Sequence, residues 1–78
     1  MEKKYKKAFA KSLSIDEKKI NEELKYNEIP EWDSIGHMTL ISELEGEFDI
    51  SIETDDVIDF SSYKKGKEIL KKYKININ

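Results

Sequence analysis

Without a single cysteine, the chain can form no disulfide staple, no thiolate nucleophile and no thiolate metal site. A lone histidine, His37, removes most of the remaining metal chemistry. Arginine is missing as well. All 14 basic residues are lysine, so the planar fork that reads phosphate or guanine bidentately is nowhere available. No apolar run is longer than two or three residues, which excludes a membrane-spanning helix. The basic N-terminus lacks the apolar stretch of a secretory signal, so the cytoplasm is the expected location. A chain of 78 residues makes one domain at most. At this length about 60% of the unfolded surface is buried, enough for one thin core and little enough to disfavour a walled active-site cleft. The expected class is a carrier, adaptor or inhibitor rather than an enzyme.

Charge is abundant, at 40% of residues, yet the net is only −3. Residues 1–20 carry seven Lys against three acids, residues 21–60 one Lys against thirteen acids, and residues 61–78 six Lys against one Glu. Both ends are basic and the middle is strongly acidic. An acidic middle suits docking on a basic partner surface, because complementary potential steers encounter and rejects wrong partners. It argues against nucleic acid contact there.

Tyr5, Ala8, Phe9 and Leu13 recur at spacings of three and four, which predicts an amphipathic helix from Glu2 to about Leu13. Residues 14–33 form a long connection pinned over a core by Ile15, Ile20, Leu24, Ile29 and Trp32. Ser14 and Glu17 have the spacing of a capping box, so one helical turn is expected there. Pro30 favours an extended Ile29 and stops a helix at this point. A second helix is expected from Ser34 to Phe48, with Leu40, Ile41, Leu44 and Phe48 on one stripe and Asp33 or Ser34 as its N-cap. Residues 49–52 alternate polar and apolar, as a short extended link does. Thr54, with Asp55 and Asp56 behind it, reads as the cap and acidic first turn of a short third helix ending near Phe60. Ser61 or Ser62 then caps a last helix carrying Tyr63, Ile69, Leu70 and Tyr73, and residues 75–78 read as a frayed tail. The pattern is all-α: helix, long loop, helix, short helix, helix.

The segment richest in chemistry is Glu31-Trp32-Asp33-Ser34-Ile35-Gly36-His37-Met38. An Asp-Ser pair at the head of a helix is what capping alone would select. At about 100° per residue, however, Ile35, Met38, Ser42 and Glu45 point well away from the core stripe. An apolar pair beside polar groups on an outward face has the composition of a transient docking surface. The alternative is that Ile35 packs beneath the long loop. His37 falls on the core stripe, where a hydrogen-bonded packing residue is expected rather than a ligand.

At this segment the chain resembles the acyl carrier protein family, and the likeness extends over nearly its whole length. Asp33-Ser34-Ile35 stands in the family's Asp-Ser-Leu position, followed by Gly36-His37-Met38 and a helix closing at Glu45-Gly46-Glu47-Phe48. The long first loop, the order of helices and Ile50-Ser51-Ile52 before an acidic third helix also match. The resemblance implies a small four-helix bundle of acyl-carrier type, with a long first loop and a short third helix, formed by residues 1–78 as a single phosphopantetheine-binding domain. It implies that Ser34 accepts 4′-phosphopantetheine from coenzyme A through a separate holo-acyl-carrier-protein synthase. Acyl groups then ride on the arm as thioesters. Implied partners are acyl-loading enzymes and acyltransferases or synthases with basic docking patches, met by a monomer. By the same resemblance Asp33, Ile35, Met38, Ser42, Glu45, Asp55 and Asp56 face those partners. For Asp33 a plain cap, and for Asp55 and Asp56 dipole stabilisation, are the alternative readings. Leu40, Leu44, Phe48, Ile50 and Ile58 match positions that line an interior where carriers can shelter an acyl chain, with ordinary core packing as the alternative.

Several residues depart from the housekeeping fatty-acid pattern. Gly36 and His37 replace acids soon after Ser34, Ser42 replaces a usual Met, Gly46 replaces an acid, and the ends are more basic. Gly66 stands mid-helix where an apolar residue is expected, at about 1 kcal/mol relative to Ala. These departures point to a specialised pathway, such as surface polysaccharide or secondary metabolite synthesis. A peptidyl carrier is disfavoured because Glu31 and Trp32 stand where that type has paired glycines. The competing functions are an unmodified helical interaction module of the same fold and a small nucleic-acid binder using the basic ends.

Overall fold

Four helices form where apolar spacing and capping residues place them. In the computed structural model, which describes residues 1–77, α1 spans Glu2–Leu13, α2 Ser34–Phe48, α3 Thr54–Asp59 and α4 Tyr63–Lys71, with a short 3-10 turn at Glu17–Lys19. No strand occurs among the described residues. An isolated bridge between Lys25 and Ser62 ties the first loop to the head of α4. No helix among them is long and apolar enough to cross a membrane.

The centre of the molecule is aromatic. α1 buries Tyr5, Ala8, Phe9 and Leu13, and the first two turns meet Trp32 from the loop and Tyr63 from α4. Ring centroids lie 5.0 Å apart for Tyr5–Phe9, 4.8 Å for Tyr5–Tyr63 and 5.3 Å for Phe9–Trp32. At such spacings ring pairs add about 0.5–1.5 kcal/mol beyond their buried area. The Tyr5 hydroxyl donates to the Tyr63 carbonyl at 2.6 Å, so its polar end is satisfied inside the core. α4 also supplies a buried cation. Lys67 Nζ donates to Glu2 at 2.9 Å and to Glu22 at 2.8 Å, which joins α1, the first loop and α4. Burial opposes the Lys67 charge, but the two carboxylates outweigh it and its pKa is raised.

Several local expectations are corrected. Ser14 does not open a capping box. It ends α1 in the left-handed region (φ 55°, ψ 46°), and Asp16 caps the 3-10 turn instead by accepting the Lys18 N–H at 3.0 Å. Thr54 is the first residue of α3 rather than its cap, and Glu53 at the cap position makes no side-chain bond. The hydroxyl of Tyr73 closes that helix end, accepting the Glu53 N–H at 2.9 Å and donating to the Asp56 carboxylate at 2.6 Å. The tail is packed rather than frayed over residues 75–77, because Ile75 and Ile77 alternate into the core; Asn78 lies outside the described residues. Gly66 is a steric requirement. A Cβ there would overlap the Phe60 ring and the Tyr5 hydroxyl.

Two carboxylates couple this framework to pH. Hydrogen bonds from Tyr73 and then Lys72 hold the Asp56 carboxyl below the usual range, and the Lys67 ammonium does the same for Glu2. Both groups bind protons more weakly in the folded chain than in the unfolded one. Their stabilisation is therefore present above the ordinary carboxylate range and lost as the pH falls through their lowered folded values. Urea unfolding should give a stability that falls as the pH drops below about 4. The double variant Glu2→Gln with Asp56→Asn should start lower at neutral pH and lose much of that acid slope.

Candidate functional site

The head of α2 is built by the residues on either side of it. Trp32, 0% exposed, anchors the end of the loop, and its carbonyl accepts the Asn27 N–H at 2.9 Å. Asp33 is extended (φ −102°, ψ −167°) and caps the helix, its carboxylate accepting the Gly36 N–H at 2.8 Å. The backbone carbonyl of Asp33 accepts from His37 N–H at 2.8 Å. The Glu31 carbonyl lies so close to Gly36 that a Cβ there would overlap it, so this position has to be glycine. Losing the cap in Asp33→Ala should lower stability by about 1 kcal/mol in urea unfolding, with the rest of the fold retained.

Ser34 is the first residue of the helix and is exposed. Its hydroxyl makes no hydrogen bond among the described residues, and neither do the N–H groups of Ser34 and Ile35. An exposed hydroxyl beside uncommitted helix N–H groups and the positive end of a helix dipole is a chemically suitable place for a phosphodiester. On this geometry the residues present fit a phosphopantetheine arm on Ser34 Oγ.

The outward face of α2 matches the reading from periodicity. Ile35 is 77% exposed and Met38 57% exposed, so Ile35 does not pack beneath the loop. Ser42 is exposed on the same helix. Glu45 is only half-exposed, because its carboxylate accepts the Ile52 N–H at 2.8 Å and orders the link into α3. On α3 the two acids part company. Asp55 is exposed, whereas Asp56 is 7% exposed and spent on Tyr73 and on Lys72 Nζ at 2.9 Å. The expectation that Asp56 faces a partner is therefore corrected. Among the positions matched to an interior lining, Leu40 and Leu44 are buried, Phe48 and Ile50 sit half-buried at the margin, and Ile58 is 73% exposed. Ile58 lines no interior.

His37 is the hydrogen-bonded packing residue expected on the core stripe, and its partners are the part that the sequence reading did not name. His37 Nδ1 accepts the Trp32 indole N–H at 2.9 Å, and its Nε2 lies 2.8 Å from the Val57 carbonyl. Since Trp32 can only donate, His37 is the neutral Nε2–H tautomer and donates to Val57. This ring therefore links loop, α2 and α3. The signal was present in the spacing: Trp32 precedes the cap and His37 is the fourth helical residue, the two positions of a hydrophobic staple.

Comparison of the chain with models of known protein families and with curated proteins finds no match in either.

Proposed function

We propose that the protein is an acyl carrier protein, a four-helix bundle of acyl-carrier type that bears 4′-phosphopantetheine on Ser34 and has no catalytic residues of its own. One observation carries the reading: Ser34 is exposed and its hydroxyl makes no hydrogen bond among the described residues, at the first residue of a 15-residue helix immediately after the Asp33 cap. The resemblance in residues 31–38 gives that hydroxyl its chemistry. Ser34 Oγ attacks the phosphorus that bears the pantetheine oxygen in coenzyme A. The pyrophosphate P–O bond breaks, the nucleoside bisphosphate leaves, and the hydroxyl proton passes to a base of the synthase. When bound, the arm supplies a thiol that holds an acyl group as a thioester.

The chain itself contributes position and recognition. A tether raises the effective concentration of cargo at each enzyme in turn. Ile35 and Met38 offer apolar contact, while Asp33, Ser42, Glu45 and Asp55 set a polar, acidic surround. Such a face suits brief docking on basic patches of a loading enzyme, an acyltransferase or a synthase. We assign the carrier to the cytoplasm and to a specialised biosynthetic pathway, because Gly36, His37 and Gly46 depart from the housekeeping pattern. The test is intact mass after incubation with coenzyme A and a promiscuous holo-synthase. A gain of one phosphopantetheine per chain is expected. No gain with several such synthases would leave the unmodified interaction module as the better reading.

A further inference from the structure

The region between α2 and α3 is closed by a stack of rings. The His37 ring lies 6.1 Å from Trp32 at an interplanar angle of 21°, 5.9 Å from Phe60 and 5.3 Å from Tyr26. Behind it Phe9 meets Trp32 at 5.3 Å and Phe60 at 6.0 Å. These are the separations of packed aromatic pairs, with no gap for a further chain between them. The hydrogen bonds at both His37 nitrogens lock the stack. Moving the ring aside would strand the fully buried Trp32 N–H and detach α3 at Val57. Outside the stack lies an open groove of about 260 Å³ lined by Tyr26, His37, Val57, Ile58, Phe60 and Ser61. It is smaller than the roughly 300–1,000 Å³ of pockets that hold drug-sized ligands. It is bordered by His37, one turn along α2 from Ser34. Its floor is apolar, and Tyr26 and Ser61 bring hydroxyl groups.

Building on the carrier reading, we propose that the cargo is a short acyl group resting in this outer groove, and that the His37–Trp32–Phe60 stack excludes long acyl chains from the core. His37 is a positioning residue here. It touches Trp32 and Val57, and through them keeps α2 and α3 closed over Leu40 and Leu44.

The experiment loads the protein from butyryl-coenzyme A and from lauroyl-coenzyme A with a promiscuous holo-synthase, then compares the two loaded forms. The readouts are Tm, the rate of thioester release by hydroxylamine, and the methyl NMR shifts of Leu40 and Leu44. A higher Tm and slower release for the butyryl form, whose acyl group rests in the groove, and unmoved core methyls for both acyl groups are expected. In His37→Ala the lauroyl form should become more stable than the butyryl form and release its acyl group several-fold more slowly. Phe60→Leu trims the same stack without touching a hydrogen bond, and should act in the same direction if His37→Ala does not fold. Slower release of lauroyl with shifted Leu40 and Leu44 methyls in the parent protein would overturn the proposal and leave the carrier reading intact. Loaded variants that still release lauroyl faster than butyryl would overturn the assignment to the ring stack. Failure of both acyl arms to load on Ser34 removes the carrier reading, and this inference with it.

Discussion

Ser34→Ala will show no mass gain with coenzyme A and synthase, and its unfolding midpoint will stay close to that of the parent. The loss is complete because attachment needs an oxygen at this position, and the other hydroxyls of α2 stand elsewhere. Thr39 already donates to the Ile35 carbonyl at 3.1 Å, and Ser42 lies two turns further along the helix. Thr39→Ala should accordingly be modified like the parent. The fold survives because nothing structural depends on the Ser34 side chain. Asp33 holds the cap, the hydroxyl has no partner among the described residues, and alanine is the better helix former. Exposed substitutions of this kind move stability by no more than about 0.5 kcal/mol. A Ser34→Ala protein that still gained mass would place the arm on another residue and end the assignment made here.

The parts legible in the sequence are those set by neighbours along the chain. The helix of residues 2–13 follows from four apolar residues at helical spacing, and α2 begins where Asp33 can cap it. The exposure of Ile35 and Met38 follows from the angle between them and the Leu40–Leu44 stripe, which is again a local property. The rest depends on side chains distant in sequence. Asp56 reads as an exposed first-turn acid until Lys72 and Tyr73, 16 and 17 residues later, fold back onto it. By the resemblance Ile58 matches an interior lining, with core packing as the alternative, yet it is exposed. A helix of only six residues can turn few of its side chains inward, and α3 spends that position on Asp56 and half-buries Val57. Glu45 belongs to a helix face by angle, yet the link after α2 recruits its carboxylate. For Asp56 and Glu45 a polar side chain was assigned to solvent while a phenol or backbone donor elsewhere in the chain was left unassigned. Asking first where those donors are satisfied would have recovered most of these contacts.

Gly66 and Gly46 separate helix propensity from packing, and alanine at each should move stability in opposite directions. Both glycines lie inside helices, where intrinsic preference favours alanine by about 1 kcal/mol. Nothing lies within 4 Å of a Cβ built on Gly46, so Gly46→Ala should gain about 0.5–1 kcal/mol. At Gly66 the same carbon overlaps the tip of Phe60 and the hydroxyl of Tyr5, and approaches Phe60 Cε1 to 2.6 Å. Neither ring has room to yield. Phe60 is held between Phe9 and His37, and Tyr5 is fixed by its 2.6 Å bond to the Tyr63 carbonyl. Overpacking of about 1–3 kcal/mol, with about 1–3 kcal/mol more if the buried Tyr5 bond breaks, exceeds the propensity gain. A domain of this length is stable by only about 4–12 kcal/mol, so a net loss of about 2–4 kcal/mol would lower Tm by about 10 °C or more. Thermal unfolding of the two variants beside the parent decides the point. A Gly66→Ala protein as stable as Gly46→Ala would mean that α4 does not press against Tyr5 and Phe60, and that the aromatic centre is looser than described.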